Sequence, residues 1–293
     1  MSLIFSIIVP TFRDGQRLVL LLESLRKQSV SKGDWEVIVV NNDPSAELTL
    51  PKALLSSINL KIIDEAKPGS YAARNKGILA ANGSIFAFTD SDCLPADDWL
   101  AVAFDHFSKE ENQGTGILTG PVPLFYKDPK SLSDAEIYEK YTGFTTEAYA
   151  KEGHAITANW FSPASVIKEF GGFNAQLKSN GDSELSGQIS RKYKVVYLPS
   201  LIVNHPARYR TEELVNKYKR LIGGTYARRF AGRKFAFLKH VLDFGFRRYR
   251  FWLKRFFRIP FAESIALLRV CNAINLGVLQ EYFSLIGGGD TRR

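Results

Sequence analysis

Over the first two hundred positions the apolar residues fall into two rhythms, short unbroken runs and a three-to-four spacing between them. Positions 5–9 form an apolar run ended by Pro10, and 37–40 form a second, ended by the turn-forming Asn41-Asn42-Asp43-Pro44. Between them Leu18, Leu21, Leu22 and Leu25 recur as one face of a helix. Strands that are apolar throughout, joined by an amphipathic helix, predict a β-α-β unit with parallel strands buried on both sides. A further strand is expected at 60–63. After Pro68-Gly69, Ser70 is the expected N-cap of a helix running through Tyr71 and Arg74 to about Ala81, where Asn82-Gly83 stops it. Positions 85–88 predict the next strand.

Further along, 117–119 predict a strand, 133–141 a polar helix and 157–161 an extended element. Gly171-Gly172-Phe173 marks a turn, 184–191 a helix, and 194–197 a strand closed by Pro199. No repeat or low-complexity tract interrupts this pattern. Residues 1–205 are therefore expected to be one α/β domain, an open, mostly parallel sheet flanked by helices, and 206–293 a helical C-terminal region. The first apolar run is only strand-length and lacks a basic flank and a small-residue cleavage site, so it reads as a strand and not a signal. Positions 262–285 are apolar but contain Glu263, Arg269, Asn272, Asn275, Gln280 and Glu281. Spanning helices need about twenty nearly uncharged residues, so an amphipathic packing or surface helix is expected.

Composition changes the picture in one place. The 293 residues carry a formal charge of +9, yet 228–258 alone hold eleven Lys/Arg against Asp243, a balance of +10, so the rest of the chain sums to −1. The same stretch holds ten aromatic residues, including Phe235, Phe237, Phe244, Phe246, Phe251, Trp252, Phe256 and Phe257. Cations interleaved with aromatics suit an anionic membrane surface. A solvated helical face is the simpler reading, and no nucleic-acid module is recognisable, so nucleic acid is not an expected partner. The two cysteines, Cys93 and Cys271, match no zinc spacing and no disulfide framework, which fits a reducing, cytoplasmic setting. Cys93 reads as a small buried filler.

Asp90-Ser91-Asp92 falls at the C-terminal end of the strand at 85–88, where open α/β sheets place their ligands. Two carboxylates one residue apart suit a hard divalent cation, Mn²⁺ or Mg²⁺, whose use would be to neutralise a departing diphosphate. A simple turn would explain the same pair.

Over roughly the first two hundred residues the chain resembles the family-2 glycosyltransferases of the GT-A fold. The resemblance rests on Ser6 through Phe12, Val37 through Asp43, Pro68 through Gly83, Asp90-Ser91-Asp92, Pro95 through Leu100, Gly171-Gly172-Phe173, Gly181 through Leu185 and Tyr197 through His205, all in the family's order. It implies that Pro10 and Thr11 line a nucleotide pocket, that Asn41 and Asn42 meet the base, and that Arg74 approaches base or phosphate. Asp90 would lie near the ribose, and Asp92 would ligate the metal. Asp182, with Glu184 as the alternative, would take the acceptor's proton in an inverting displacement. Asp182 could equally serve as a helix N-cap. Asn159 and Trp160 would meet the acceptor, and His205 would reach back to the metal or diphosphate. Two departures stand out: Gly181 precedes Asp182 where the family commonly has Glu, and Asn41 stands where many relatives carry Asp.

The function implied is transfer of a sugar from a nucleotide-diphosphate sugar to a glycan or lipid-linked hydroxyl, in surface polysaccharide or glycolipid synthesis on the inner face of the cell membrane. A sugar-1-phosphate nucleotidyltransferase would need a glycine- and arginine-rich loop after the first strand, which Thr11-Phe12-Arg13-Asp14-Gly15 does not supply. A catalytically silent membrane- or nucleic-acid-binding relative is the other alternative.

Overall fold

The computed structural model describes residues 4–291. The chain forms two compact units: Met1–Pro123, Phe144–Leu177 and Gly181–His205 in the first, and Leu124–Gly143, Lys178–Asn180 and Pro206–Arg293 in the second. The first unit opens with β1 (Phe5–Thr11), α1 (Gly15–Arg26), β2 (Trp35–Asn41), α2 (Lys52–Ser57), β3 (Leu60–Asp64), α3 (Ser70–Ala80) and β4 (Ile85–Phe88). β5 (Leu94–Pro95), α4 (Trp99–Phe107) and β6 (Thr115–Thr119) follow. After β7 (Leu124–Phe125) and α5 (Asp134–Thr142), both in the second unit, come α6 (Thr146–Lys151), β8 (Trp160–Pro163), α7 (Ala164–Glu169), α8 (Gly181–Ile189), β9 (Lys194–Tyr197) and β10 (Val203–Pro206). The chain ends with α9 (Thr211–Thr225), α10 (Lys234–Arg255) and α11 (Phe261–Ile286) of the second unit.

Seven strands make one sheet in the order β3-β2-β1-β4-β8-β6-β9. All neighbours are parallel except β8, which runs antiparallel to β4 and β6. β1 and β2 are buried along their whole length, which is why they read as unbroken apolar runs. Their residues alternate between two cores. Phe5, Ile7, Val9, Val37 and Val39 pack with Leu18, Leu21, Leu22 and Leu25 of α1 and with Trp99 and Leu100 of α4. On the opposite face Ile8, Phe86 and Phe88 pack with Tyr71 and Ile78 of α3, Ile167 of α7 and Leu185 of α8. Each such aliphatic or aromatic side chain contributes about 1.5–3 kcal/mol of burial. α3 approaches β1 closely: a Cβ at Gly77 would lie 2.5 Å from Ile8 Cγ2 and 3.3 Å from Val40 Cγ2.

Three local expectations are corrected. β1 continues through Pro10, because β4 pairs only with Phe5 to Ile8 and leaves no ladder on that side for a missing N–H to break. Gly69, at φ 121°, is the N-cap of α3, and Ser70 is its first helical residue with no side-chain cap. α8 begins at Gly181, one turn earlier than the spacing predicts, which places Asp182 inside its first turn and not at its cap.

The second unit is a helical cluster that takes in 124–143 and 178–180 as well as the C-terminal residues. Ala135 and Tyr138 of α5 pack with Leu214 and Ile222 of α9, Phe237 and Val241 of α10, and Leu267, Val270, Cys271 and Ile274 of α11. Among the described residues α11 is the one helix long and apolar enough to cross a membrane. Within its unit it is a packing helix with partnered polar residues. Arg269 holds Asp134 through two bonds of 2.7 and 2.8 Å, Asn275 accepts from Arg248 at 3.0 Å, and Glu263 accepts from Tyr141 at 2.6 Å.

Candidate active site

The C-terminal ends of β1, β2 and β4 and the start of α8 bring one group of polar side chains together, all within the first unit. Asp90 and Asp92 follow β4, and Cys93 Sγ and a ring nitrogen of His205 on β10 lie with their carboxylates, the four ligand atoms all within 4.8 Å of one another. His205 Nε2 is 3.8 Å from Asp92 Oδ1. Arg17 of α1 donates from Nη1 to Asp92 Oδ2 at 3.3 Å and from Nε to Asp14 Oδ1 at 2.8 Å, while Ser91 Oγ donates to Asp14 Oδ2 at 3.1 Å. Burial raises Asp92 above the usual carboxylate range, Asp90 and Asp14 add to this, and His205 and Arg17 oppose it. Three carboxylates crowded at a strand end form a site that a cation would relieve. Two carboxylates and an imidazole are the oxygen and nitrogen donors that suit Mn²⁺ or Mg²⁺, so the residues fit such an ion. Cys93 is less suited, because burial, with Asp90 and Asp92 nearby, pushes its thiol well above its ordinary value and keeps it neutral.

Arg74 reaches this group from below. It is 3 % exposed, donates through Nη2 to Asp90 Oδ1, and lies over the rings of Tyr71 and Phe173 at 5.8 and 5.9 Å. Among the described residues its buried Nε has no hydrogen-bond partner, and neither has Thr11 Oγ1. Among buried polar atoms such vacancies are uncommon and mark places where a ligand can complete the bonding.

Asp182 is half-buried, and its Oδ1 accepts from the Ser183 amide at 2.9 Å and from the Tyr71 hydroxyl at 3.3 Å. Among the described residues no donor reaches Oδ2. Burial, with Asp90 adding, pushes the Asp182 carboxyl up, while the Ser183 amide, Arg74 and Tyr71 favour its charged form. Burial and the Asp182 charge push the Tyr71 phenol up to about 12, so it remains a donor. The glycine before Asp182 now has a reason: a Cβ at Gly181 would lie 2.7 Å from Tyr71 Cε2. The absent side chain makes room for the tyrosine ring. Glu184, by contrast, is exposed and lines a separate cavity of about 240 Å³ with Gly172, Asn174 and Gln188.

A larger cavity of about 630 Å³ opens between the loops after β1 and β2, lined by Arg13, Asp14, Asn41, Glu47 and Leu50 among others. Arg13 adopts the left-handed conformation, φ 51°, and donates to Asp43 at 2.5 Å. Asn41 lines this cavity, whereas the Asn42 amide is committed to the fold. Asn42 Nδ2 donates to the carbonyls of Glu65 and Lys67, both at 2.8 Å, and its Oδ1 accepts from Gly69 N at 2.8 Å. Asn42 therefore braces the loop before α3. Pro10 and Thr11 are buried at the end of β1.

Asn159 and Trp160, the residues expected to meet the acceptor, are both 0 % exposed. Asn159 accepts from Trp99 Nε1 at 3.0 Å and donates to the Leu201 carbonyl at 2.7 Å, and Trp160 packs edge-on to Phe88 and donates to Ser162 Oγ at 2.7 Å. Trp160 opens β8 between β4 and β6, and Asn159 directly precedes that strand. Sequence reasoning passed over Tyr71, Asp14 and Arg17. The last two had a signal, since they follow β1 at the same strand-end level as the aspartates.

With this geometry in view, comparison with known proteins gives the class. Residues 6–169 match the family described as Glycosyl transferase family 2. The chain is 30 % identical over 220 residues to the glycosyltransferase AglE of Haloferax volcanii, which covers 73 % of this chain and 70 % of that protein. It belongs to glycosyl transferase family 2. Its fold is GT-A: it superposes on the crystal structure of Staphylococcus aureus TarS 1-349 with a TM-score of 0.57 at 16 % identity, covering 99 % of this chain and 93 % of that one. The mannosyltransferase PcManGT from Pyrobaculum calidifontis, solved with GDP-Man and Mn²⁺, gives 0.58 at 14 % identity over 98 % and 88 %.

Proposed function

We propose that the protein is an inverting, metal-dependent glycosyltransferase that moves a sugar from a nucleoside-diphosphate sugar to a hydroxyl of a glycan or lipid-linked acceptor in surface polysaccharide or glycolipid synthesis. The observation that carries this reading is the Asp182 carboxylate, held by two donors on one oxygen and open on the other, in the same electrostatic group as Arg74 and Asp90. TarS has been solved with UDP-GlcNAc and PcManGT with GDP-Man and Mn²⁺, which supports a nucleotide-sugar donor and Mn²⁺ or Mg²⁺.

In this reading Asp92, Asp90 and His205 would hold the cation, which would supply positive charge to a departing diphosphate. Arg74 keeps Asp90 oriented, and the nucleoside enters the cavity beside Asn41, whose amide both donates and accepts. The acceptor hydroxyl gives its proton to Asp182 Oδ2 as its oxygen attacks the anomeric carbon, while Tyr71 and the Ser183 amide fix the carboxylate plane. One base acting in one displacement inverts the sugar. The basic second unit would bring this chemistry to the inner face of an anionic membrane. Incubation with nucleotide sugars tests the enzyme: Mn²⁺-dependent release of nucleoside diphosphate, lost in Asp92→Ala and in Asp182→Asn, is the expected result. Metal-independent binding without turnover would favour a silent relative.

A further inference from the structure

The aromatic residues that make 228–258 conspicuous in the sequence are not all alike in the fold. Phe237 of α10 is 0 % exposed, and Phe244, Phe251 and Trp252 pack against the helical core. A second apolar set lies on the other side of the same helix. Phe235, Leu242, Phe246, Tyr249 and Leu253 are 89, 60, 66, 40 and 61 % exposed. They recur at spacings of seven, four, three and four residues, which at 3.6 residues per turn confines them to an arc of about 60°. Exposed Lys239, Arg250, Lys254 and Arg247 follow along one flank of that arc, and among the described residues Arg247 alone of these has an ion-pair partner, Asp243 at 3.1 Å. The ridge is indented by a shallow hollow of about 430 Å³ lined by Phe235, Leu238, Lys239, Leu242, Asp243 and Phe246.

Helix α10 is thus apolar on two opposite faces, one packed in the helical core and the other, among the described residues, exposed apart from the bond of the Tyr249 hydroxyl to Asn272 Oδ1 of α11 at 2.8 Å. Its exposed ridge is narrow and flanked by cations, in a segment with a balance of +10. We propose that this ridge is a lipid-inserting face, on which α10 lies in the plane of an anionic bilayer with Phe235, Leu242, Phe246, Tyr249 and Leu253 among the acyl-chain ends of the headgroups and the lysines and arginines on the phosphates. The charge complementarity selects the occupant: a neutral apolar partner would leave the cationic flank unmatched, and an acidic polymer would leave the ridge in water. The inference rests on the membrane part of the proposed function and adds to it which side chains enter the lipid.

Sedimentation of the full chain with vesicles tests it. Binding is expected to phosphatidylglycerol-containing vesicles and to be weak on phosphatidylcholine alone. The double substitution Phe246→Ser, Leu253→Ser keeps every charge and is expected to weaken binding by about tenfold or more, each exposed side chain losing its transfer into lipid. Circular dichroism and donor hydrolysis in the absence of vesicles should be unchanged, since neither residue packs in the core. Equal binding by parent and double variant would overturn the assignment of this face while leaving membrane attachment standing. No binding to either vesicle would remove both. A concentration-dependent dimer, seen by light scattering without lipid and abolished by the double substitution, would show that the ridge meets a second copy of this chain and would overturn the lipid assignment.

Discussion

Each unit contains a carboxylate held by an arginine in a partly or wholly buried pair, and the two differ in what they leave unfinished. In the second unit Glu139 accepts from Arg208 N at 2.7 Å, Arg208 Nη1 at 2.6 Å and Lys217 Nζ at 3.5 Å, so both its oxygens are filled. Burial works against its charge, but Arg208 and Lys217 outweigh it and hold the carboxyl below its ordinary value. In the first unit the Arg74–Asp90 pair is accompanied by unpartnered Arg74 Nε and Thr11 Oγ1 and by an Asp182 oxygen that no described donor reaches. A closed cluster of this kind does structural work, whereas an open one is an arrangement awaiting a ligand.

This contrast predicts opposite costs. Asp182→Asn should lower turnover by about 10²–10⁴-fold, the range for loss of a positioned base, with the unfolding midpoint in denaturant unchanged. Asp92→Ala should abolish Mn²⁺-dependent turnover and likewise leave stability intact, because it removes one of several crowded like charges. Glu139→Gln should do the reverse and cost roughly 2–3 kcal/mol of unfolding free energy, below the 3–5 kcal/mol of a fully buried pair because Arg208 and Lys217 remain 25 and 28 % exposed. If Asp92→Ala destabilised the fold as much as Glu139→Gln, the distinction between open and closed clusters would fail.

Two smaller effects sharpen it. Lys217 is pushed down from 10.5 to about 8, first by burial and then by Arg208. Between those values the unfolded chain binds more protons than the folded one, so stability should rise with pH across that window in the parent relative to Lys217→Met. Urea unfolding at several pH values reads this directly. In the first unit Tyr71→Phe removes a donor that favours ionised Asp182. The acid limb of kcat, where Asp182 gains its proton as pH falls, should then move to higher pH by less than about one unit. A limb that stayed in place would separate Tyr71 from the base.

Much of the catalytic unit was legible because its strands are buried on both faces and carry no polar interruption. That made β1, β2 and β4 visible, and with β4 the strand-end position of Asp90 and Asp92. The order of motifs through His205 then gave the family. What the residues could not convey were pairings across long separations. Trp160 has the chemistry of a sugar platform and the burial of a core residue, and only its seat between β4 and β6 decides between them. Tyr71 and Asp182 are 111 positions apart, and Gly181 looked like a loss until the ring beside it was located. The same holds in the second unit, where α5 precedes β8 and β9 of the sheet in sequence yet packs with α9 and α11, and where composition counted aromatic residues without separating an inward Phe237 from an outward Phe246.

The bare backbone at Gly77 sets a clearance. With no side chain between them, α3 rests directly on Ile8 and Val40, and the guanidinium carried three residues earlier on the same rod inherits its height from that contact. A single methyl group there would act as a shim, tilting the rod and lifting Arg74 away from Asp90 without altering any atom that a substrate could touch.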